Sequence, residues 1–347
     1  MILVVKRTVL LKPLLMSLIL GSFLYLSGCG KAKFHHFQGD TMGTSYHISA
    51  QVPASVDLEK LQQTIDEKLL QINQSMSTYI ETSEISRFNR LPINQPFPVS
   101  DDFLHVFTIA ENVYLASSKA FDPTVSALVD LWGFGGNSPP EGISAPPSQD
   151  DIDKAKESIG FNKIERQGNS LIKKANVKLD FSGVAKGYGV DVLAQVMQDH
   201  NINNFLIEIG GEMRTAGISP RAGAWRIAIT APEVLKDQIS RLDLQNASLA
   251  TSGDYRNFFD HNGVRYSHTI NPTDGYPIKH RLSSVSVIAD NTATADAWAT
   301  ALLVLGEEKG FTLAEKQNLA IYMIYNDGKT FKLKYTASME EYFPKSK

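Results

Sequence analysis

Asp296 and Thr300 are the first candidates for chemistry, because they stand four residues apart in a segment with helical patterning. A spacing of four places both side-chain oxygens on one face of a helix. One carboxylate and one hydroxyl form a sparse set of hard ligands, which suits Mg²⁺ completed by water or substrate phosphate. Zinc is disfavoured because no cysteine or pair of histidines accompanies them. The alternative is that Asp296 only caps the helix or pairs with its dipole.

A glycine-rich stretch, residues 179–191, is the second candidate and lies between a predicted strand, 170–179, and a predicted helix. Ser182 is the expected N-cap of this helix, and the free N–H groups of its first turn suit a phosphate. Lys186 adds a mobile positive charge at the same place, and Asp180 adds a hard oxygen. The pattern is neither a P-loop nor a GxGxxG fingerprint. A packed strand–turn–helix, with glycines present only for close contact, is the alternative interpretation.

His268 is the candidate general base. It follows a strand-like segment and precedes an Asn-Pro-Thr-Asp-Gly turn, which places it at the mouth of a loop. A neutral imidazole is the usual proton acceptor near pH 7 when a hydroxyl must be deprotonated. Asp254 and Asp180 are the carboxylates that would orient it or bind a metal, and the residues alone leave both roles open. A purely structural histidine is the alternative.

The elements that must hold these residues alternate between helices and strands with an antiparallel pattern. Asp57, Ser100 and Ser148 are predicted N-caps of three helices. Gly306 is predicted to end the helix that carries Asp296, at residues 294–305. Strands are predicted at residues 45–51, 204–209, 225–230, 239–244, 283–289, 320–325 and 331–335. An Asn-Asp-Gly sequence between the last two predicts a hairpin. The fold class is therefore α+β, or mixed α/β.

The N-terminus has the pattern of an exported lipoprotein. Residues 1–28 combine basic residues with an apolar run that is too short for a transmembrane helix, which is typical of a signal peptide. Cys29, the single cysteine of the chain, stands where bacterial lipoproteins carry their lipidated residue; an incidental buried thiol is the alternative. We expect residues 29–37 to form a lipidated tether and residues 38–347 to form the folded domain. A single cysteine excludes internal disulfides.

The composition is that of a globular protein and excludes one class of partner. The chain has 43% hydrophobic residues, 20% charged residues and a formal net charge of −3. Its length is sufficient for a large core, in one unit or in two lobes. Nucleic-acid binding needs clustered Lys and Arg, which this balanced charge does not supply.

Several short segments of the chain occur in the order found in one bacterial family. They are Thr41-Met-Gly-Thr44, Ser77-Thr-Tyr79 with Ser83-Glu84, Phe121-Asp-Pro-Thr124 with Leu131-Trp-Gly-Phe134, residues 180–191, Gly210-Gly-Glu212, Thr251-Ser-Gly-Asp-Tyr255, His268-Thr-Ile-Asn-Pro272 with Gly275, and Ala295-Asp296 with Ala299-Thr300. Together they resemble the ApbE family of FAD:protein FMN transferases. The resemblance covers residues 39–342 and the lipobox, and the order of so many segments makes it specific.

The resemblance implies an enzyme that splits the pyrophosphate of FAD, transfers FMN to a threonine hydroxyl of another protein and releases AMP. It also implies an ApbE-like, T-fold-like architecture, a two-lobed single catalytic unit with mostly antiparallel sheets and packed helices. The implied FAD contacts are Met42, Tyr79, Ala120, Phe121, Asp122, Asp180, Lys186 and Ile270. The implied Mg²⁺ ligands are Gly183 (through its carbonyl), Asp296 and Thr300. His268 matches the proposed general base of the family.

Three positions depart from the family pattern. Ala299 stands where some relatives have a further Asp, Asn271 where many have Asp, and Lys186 where some have Glu. The first departure removes one possible metal ligand. None of them removes the core set of implied site residues.

The resemblance further implies partners and a location. The acceptors would be periplasm-facing flavoprotein subunits of the sodium-translocating NADH:quinone reductase or of the Rnf complex. A lipid anchor would hold the enzyme on the periplasmic side of the inner membrane, with the outer membrane as the alternative, and would raise its effective concentration near those acceptors. Two other functions stay open at this point: an FAD pyrophosphatase that uses water in place of the acceptor, and a non-catalytic FAD-binding lipoprotein.

Overall fold

The folded domain begins earlier than the sequence predicted. The computed structural model describes residues 33–135, 145–229, 240–254 and 258–345. Within them, β1 (Lys33–Thr41) and β2 (Thr44–Val52) pair in antiparallel register, from Lys33 opposite Val52 to Thr41 opposite Thr44. Residues 33–37, which we assigned to the tether, therefore belong to the sheet. The predicted signal peptide and the predicted lipidation site, Cys29, lie outside the described residues.

Two aromatic side chains explain this correction. Phe37 is buried on one face of the sheet, and Phe34 packs edge-on against Trp225 on the other, with ring centroids 5.9 Å apart. Side chains three residues apart on a strand point to opposite faces, so both faces of β1 gain apolar contacts. The intervening pair His35–His36 made the segment resemble a solvated linker in the sequence.

Eight strands form one antiparallel sheet. The remaining strands, in chain order, are β3 (Phe97–Pro98), β4 (Ile164–Gln167), β5 (Ser170–Lys173), β6 (Phe205–Ile209), β7 (Glu212–Ala216), β8 (Trp225–Ala228), β9 (Arg241–Leu244), β10 (Ser248–Gly253), β11 (Phe258–His261), β12 (Val264–Ser267), β13 (Leu282–Ala289), β14 (Ala320–Asn326) and β15 (Phe331–Tyr335). The large sheet has the order β1-β2-β6-β7-β10-β13-β14-β15. Three small sheets, β3-β5-β4, β8-β9 and β11-β12, flank it.

Most predicted strands are confirmed to within a few residues, including the last hairpin, where Asn326 pairs with Phe331. The paired strands predicted at 225–230 and 239–244 are β8 and β9, although residues 230–239 lie outside the described part of the chain. One strand is shorter than predicted. It ends at Lys173 rather than at residue 179, because its partner β4 begins at Ile164, directly opposite Lys173.

Three of the helices are confirmed together with the side-chain caps predicted for them. In chain order the helices are α1 (Leu58–Met76), α2 (Glu84–Arg90), α3 (Asp101–Ala116), α4 (Ser126–Leu131), α5 (Gln149–Lys156), α6 (Ala185–Asp199) and α7 (Thr292–Lys316). Asp57, Ser100 and Ser148 each accept a hydrogen bond from a backbone N–H in the first turn of α1, α3 and α5. Among the described helices, none has both the length and the apolar composition that crossing a membrane requires.

Neighbouring residues in the central strands point into different cores, so this part of the sheet is covered on both faces. Ala250, Val287 and Met323 pack with α3 and α7, in the core cluster that also contains Phe103 and Leu302. The residues next to them along the strands, such as Leu249, Ile288 and Ile324, pack with β8 and β9 in a second cluster. A third cluster joins α1 and α6 to β1, β2 and β6. The mixed α/β class with antiparallel sheets is confirmed.

The helix that carries Asp296 breaks at Gly306 but does not stop there. The backbone of Gly306 adopts φ 80° and ψ 179°, and a second helical segment follows at once and runs to Lys316. The predicted end at Leu305 is therefore correct for the first segment only. A groove of about 450 Å³ opens beside the break, between residues 271–280 and 304–309, and no predicted site residue lines it.

Gly306→Ala is expected to destabilise the protein by about 2 kcal/mol or more, because a Cβ at this φ is strained. The Cβ would also lie 2.7 Å from the ring of His280, which is held by a 2.6 Å hydrogen bond from its Nε2 to the carbonyl of Leu303. Gly328→Ala is the control, since Gly328 also has positive φ but nothing within 4 Å of the new Cβ. Urea unfolding of both variants measures the difference, and equal losses would show that the His280 contact costs nothing.

Candidate active site

The first turn of α7 lies against the first two turns of α6, and this contact builds the site. Gly187 in α6 comes so close to α7 that a Cβ there would lie 2.4 Å from the carbonyl oxygen of Thr292, which only glycine avoids. The carboxylate of Asp191 accepts hydrogen bonds from the N–H groups of Thr292 and Ala293, both at 2.9 Å. Arg214 also donates to Asp191, at 2.9 Å. These contacts fix the relative position of the two helix N-termini.

Asp296 is buried in this contact. Its side chain is 2% exposed, and its Oδ2 accepts the N–H of Gly187 at 3.1 Å, one of the free donors at the start of α6. The ammonium of Lys186 lies 4.0 Å from the same oxygen. Burial raises the pKa of Asp296, because the low-dielectric surroundings disfavour its charged form, while Lys186 opposes the shift.

Glu212, which the sequence reasoning placed in a motif but gave no role, is the second buried carboxyl of the site. It begins β7, is 3% exposed, and its Oε1 lies 3.6 Å from the ammonium of Lys186. Burial raises the pKa of Glu212 to about 8 against the opposing charge of Lys186. In the sequence, Glu212 is an acidic residue that follows the buried strand β6 and two glycines, and this pattern could have identified it.

The charges of this group do not balance. Burial by itself would lower the pKa of Lys186, but the carboxylates of Asp296 and Glu212 raise it above its ordinary value. Two buried carboxyls thus share one ammonium, whose side chain is 28% exposed. Oε2 of Glu212 is buried and has no hydrogen-bond partner among the described residues. The group therefore needs one more positive charge or proton to be neutral.

The segment that leads into α6 is held by a side chain that the sequence did not suggest. Asn89 in α2 accepts the N–H of Leu179 at 2.7 Å and donates to the carbonyl of Leu179 at 2.8 Å. Lys173, which is 2% exposed, donates to the carbonyl of Asn89 at 2.8 Å. Burial lowers the pKa of Lys173, and the charge of nearby Lys178 lowers it further. No local sequence pattern links residues that lie 90 positions apart.

Ser182 does not cap α6, contrary to the prediction. Instead, the side chain of Asp180 accepts the N–H of Ser182 at 2.8 Å, and the N–H of Asp180 donates to the carbonyl of Pro123 at 2.7 Å. The helix starts at Ala185, after a turn in which Phe181 accepts the N–H groups of Val184 and Ala185. The helix therefore starts too late for Ser182 to cap it, since Gly183 and Val184 lie between Ser182 and Ala185.

The structure brings the three predicted metal ligands together. A Cβ built on Gly183 would lie 3.1 Å from Oγ1 of Thr300 and 3.0 Å from the ring of Phe121, so these groups surround one small space. Asp296 precedes Thr300 by one helical turn on α7. Oγ of Ser252, at the end of β10, lies 3.4 Å from Oγ1 of Thr300. Gly183 and Thr300 are therefore neighbours, and Asp296 lies one turn before Thr300 on the same helix.

Several predicted flavin contacts are more buried than a contact residue needs to be. Ala120, Phe121 and Asp122 are all at most 8% exposed. Asp122 accepts hydrogen bonds from the N–H and hydroxyl of Thr124, and burial raises its pKa. These three residues form a rigid wall behind residues 180–183, and only their edges are available to a ligand.

Met42 lies near the same helices. It occupies the two-residue turn between β1 and β2 with φ 49°, and its Cε would lie 3.0 Å from a Cβ on Gly189. In the turn between β6 and β7, a Cβ on Gly210 would lie 2.8 Å from Thr44 and 3.3 Å from the side chain of Lys186. The β1–β2 turn therefore belongs to the site.

Two further predicted flavin contacts, Tyr79 and Ile270, differ in how exposed their side chains are. Tyr79, in the loop between α1 and α2, is 82% exposed, so its ring is available to a planar ligand. Ile270 is 4% exposed and packs in a core cluster with Leu128 and Trp132. The side chain of Ile270 is thus part of the core rather than an open contact, because the aromatic residues after α4 cover it.

His268 directly follows β12 and lies at the same end of β10 as Thr300. Asp254, two residues after Ser252, has a pKa raised by burial, and the charges of Arg265, His280 and His268 oppose the shift. His268 is therefore within electrostatic range of Asp254, as the sequence had suggested. Its ring also meets Phe134 edge-on, at 6.3 Å between centroids. His268 thus has one acidic and one aromatic neighbour that can orient it.

Comparison with known proteins agrees with this geometry. The ApbE family model matches residues 42–323. The chain belongs to the ApbE family. It is 40% identical over 330 residues to the FAD:protein FMN transferase of Vibrio cholerae serotype O1, with 94% of this chain and 98% of that protein covered. It is 34% identical over 329 residues to the protein of the same name from Escherichia coli K12, with 90% and 93% covered.

Solved structures of ApbE proteins have the same fold. The flavin transferase ApbE from Vibrio cholerae superposes with a TM-score of 0.83 at 38% identity, covering 90% of this chain and 100% of that one. The apo form of the Pseudomonas stutzeri flavinyl transferase ApbE gives a TM-score of 0.84 at 35% identity, covering 90% and 98%. The predicted ApbE-like architecture is confirmed.

The donor set of this ApbE protein fits a magnesium ion that is only partly held by protein. Within the described residues there is no group of three or more His, Cys, Asp or Glu side chains that could hold a metal. A carboxylate and a hydroxyl beside an uncompensated buried carboxyl favour a hard cation that takes its other ligands from water or substrate.

Asn89→Ala is expected to loosen the segment before α6, because it removes both hydrogen bonds to the backbone of Leu179. We expect a loss of about 1–3 kcal/mol in the free energy of unfolding, with faster amide hydrogen exchange confined to residues 176–184. Asn204→Ala is the matched control, since the Asn204 amide also makes two hydrogen bonds, to Ile218 and Gln51, away from the site. Unchanged exchange in residues 176–184 would show that Asn89 does not hold the segment.

Proposed function

We propose that this protein is a flavin transferase that cleaves FAD and attaches FMN through a phosphoester bond to a threonine hydroxyl of an acceptor protein. The observation that carries the proposal is the cluster of Asp296, Thr300 and Gly183 beside Lys186, at the N-termini of two helices, in a chain of the ApbE family. Such a cluster has the chemistry that a pyrophosphate needs: hard oxygens for a cation, an ammonium and free N–H groups.

Each part of the proposed reaction can be assigned to residues of the chain, and the bonds formed equal the bonds broken. The acceptor oxygen bonds to the phosphorus of the FMN half, the phosphorus–oxygen bond to the AMP half breaks, and the acceptor proton passes to His268. Lys186 and the start of α6 bind the negative pyrophosphate. Tyr79, as the exposed aromatic residue, stacks on a ring of FAD, while Phe121 contributes only its edge.

Asp296, Thr300 and the carbonyl of Gly183 are the residues that would hold Mg²⁺. When bound there, the ion supplies charge stabilisation to the pyrophosphate oxygens and to the departing AMP. The unpaired carboxyl oxygen of Glu212 and the excess of carboxyl groups over ammonium groups support a cation at this place. Magnesium dependence is thus part of the proposal, together with FAD as the substrate.

The proposed location is the periplasmic side of the inner membrane, with Cys29 as the lipidated residue. The signal-like N-terminus and the lipobox support this proposal. The proposed acceptors are periplasm-facing flavoprotein subunits of the sodium-translocating NADH:quinone reductase or of the Rnf complex. A shared membrane surface would raise the encounter rate of the enzyme with such acceptors.

A pyrophosphatase that releases FMN and AMP is the second candidate, because the same cation site serves water as well as a hydroxyl. The test is to incubate the protein from Gly30 onward with FAD, Mg²⁺ and a candidate acceptor domain. Mass spectrometry of the acceptor should show the addition of one FMN, lost with EDTA, and AMP in equal amount. Free FMN without addition would favour the pyrophosphatase, and intact FAD would favour a flavin-binding protein.

Asp296→Ala is expected to reduce turnover far more than FAD binding, because the carboxylate acts on the cation rather than on the flavin. Asp296→Asn keeps the shape and the hydrogen bond from Gly187, and should also lose at least about 100-fold in turnover. Glu208→Gln is the acid-to-amide control; Glu208 lies on β6, the strand next to β7 in the sheet. Turnover is measured with Mg²⁺ and FAD dissociation constants are measured in EDTA on each variant; a loss of cation-free FAD binding as large as the loss of turnover in the Asp296 variants would contradict the metal role.

His268→Ala is expected to keep FAD binding and to slow transfer by about 10²–10⁴-fold, the usual contribution of a general base. His105→Ala, an exposed histidine on α3, is the control and should transfer normally. Single-turnover transfer to the acceptor measures the effect. A normal rate for His268→Ala would remove this residue from the mechanism.

A further inference from the structure

Strand β1 joins two ends of the protein that have different surroundings. At its C-terminal end, the turn at Met42 contacts α6, and Thr44 lies beside Gly210 and close to Lys186. This is the end that carries the site. At its N-terminal end, Lys33 pairs with Val52. The nine residues of β1 make eight steps of about 3.4 Å each, so Lys33 lies about 27 Å from the site end along the strand.

The end of the sheet at Lys33 carries an exposed turn. The ring of Phe34 meets Trp225, and the indole N–H of Trp225 donates to the carbonyl of Ala216 at 2.9 Å, which places residues 217–223 beside the start of β1. This turn is closed by a hydrogen bond from the N–H of Ser219 to the carbonyl of Gly223 at 2.8 Å. The turn is therefore an ordered part of this end.

The side chains of this turn combine apolar and basic character. Ile218 is 42% exposed, which is high for a large aliphatic residue, and Arg221 is exposed next to it. Lys33 adds a second exposed basic residue. The acidic residues Asp57 and Glu59 start helix α1, which packs on the opposite face of the sheet. On the face that carries Trp225, Asp243 is paired with Arg226 at 3.1 Å. The apolar and basic groups thus share one side.

The connection to the proposed anchor is short. Because β1 begins at Lys33 and not at residue 38, only four peptide steps separate Cys29 from the folded sheet. A fully extended chain spans at most about 3.6 Å per residue, so Lys33 lies within about 14 Å of the lipidated residue. A linker of this length keeps the Lys33 end of the sheet close to the lipid headgroups.

We propose that Lys33 and the turn Ile218–Arg221 form a membrane-contact surface that faces a phospholipid bilayer and points the site away from it. The proposal rests on the lipid anchor in the proposed function. Basic side chains bind anionic headgroups, and an exposed aliphatic side chain gains by entering the interface. The site then lies about 27–40 Å above the headgroups. The lower value is the length of β1, and the upper value adds the extended linker to Cys29.

This orientation has a consequence for the acceptor. A threonine at the level of the headgroups would lie beside the anchored end and out of reach of His268. The acceptor hydroxyl must belong to a domain that projects from the membrane to the height of the site. The partner that fits is therefore a membrane protein with a projecting soluble domain, not one with its acceptor residue in the interface.

The test uses the full chain, lipidated at Cys29, in liposomes of phosphatidylethanolamine and phosphatidylglycerol that contain nitroxide-labelled headgroups. Because Cys29 is the only cysteine and its sulfur is acylated, a dye couples only to an introduced cysteine. Ala222→Cys, in the exposed turn, should lose most of its dye emission. Glu81→Cys lies at the site end, since Asn73 at the end of α1 bonds Thr41, and should lose none. Equal or reversed quenching overturns the orientation.

A pair of variants separates the surface from the anchor. Ile218→Ser combined with Arg221→Ser should keep the protein on the liposomes but should expose the Glu81→Cys dye to quenching. Leu333→Ser combined with Lys332→Ser is the matched control, because Leu333 is 40% exposed on the edge strand β15 at the opposite side of the sheet. An unchanged pattern in the first pair overturns the contact surface. Intact mass that shows no acylation of Cys29 overturns the anchor itself, whatever the quenching.

Discussion

The burial of Asp296 between two helix starts is the constraint on which the rest of the structure depends. A carboxylate removed from water is unfavourable unless donors and positive charge surround it. Here the N–H of Gly187 and the ammonium of Lys186 supply them. The close approach of α6 and α7 is therefore both a packing contact and an electrostatic requirement, because any separation of the helices would leave Asp296 uncompensated.

The fold supplies that approach with a few long-range contacts. A glycine at 187 lets the helices touch, and Asp191 reaches across to the first turn of α7. On the other side, the side-chain amide of Asn89 and the carbonyl of Pro123 hold the backbone of Leu179 and Asp180 before α6. Tertiary contacts therefore hold the backbone of the site in place. Donors that are already fixed before the substrate binds stabilise charge most effectively.

The sequence predicted what depends on neighbours along the chain and missed what depends on distant partners. Local capping identified Asp57, Ser100 and Ser148, and helical spacing placed Asp296 and Thr300 on one face. The cap at Ser182 was wrong because the turn at Phe181 moves the start of the helix to Ala185, and the tether was wrong because Phe34 and Phe37 pack on the two faces of the sheet. Neither the hold of Asn89 on Leu179 nor the pairing of Lys186 with Glu212 has a local signal.

The small number of protein ligands links cation and substrate under the proposed function. Asp296, Thr300 and the carbonyl of Gly183 provide fewer oxygens than the near-octahedral shell of Mg²⁺ requires, so water or the pyrophosphate of FAD must complete it. Binding of either partner then favours binding of the other, and by linkage the effect is reciprocal. The charge group of Asp296, Glu212 and Lys186 strengthens this coupling, since its excess of carboxyl groups attracts the cation that the substrate phosphates also need. Chemistry at this site is thus conditional on the cation and the nucleotide being bound together.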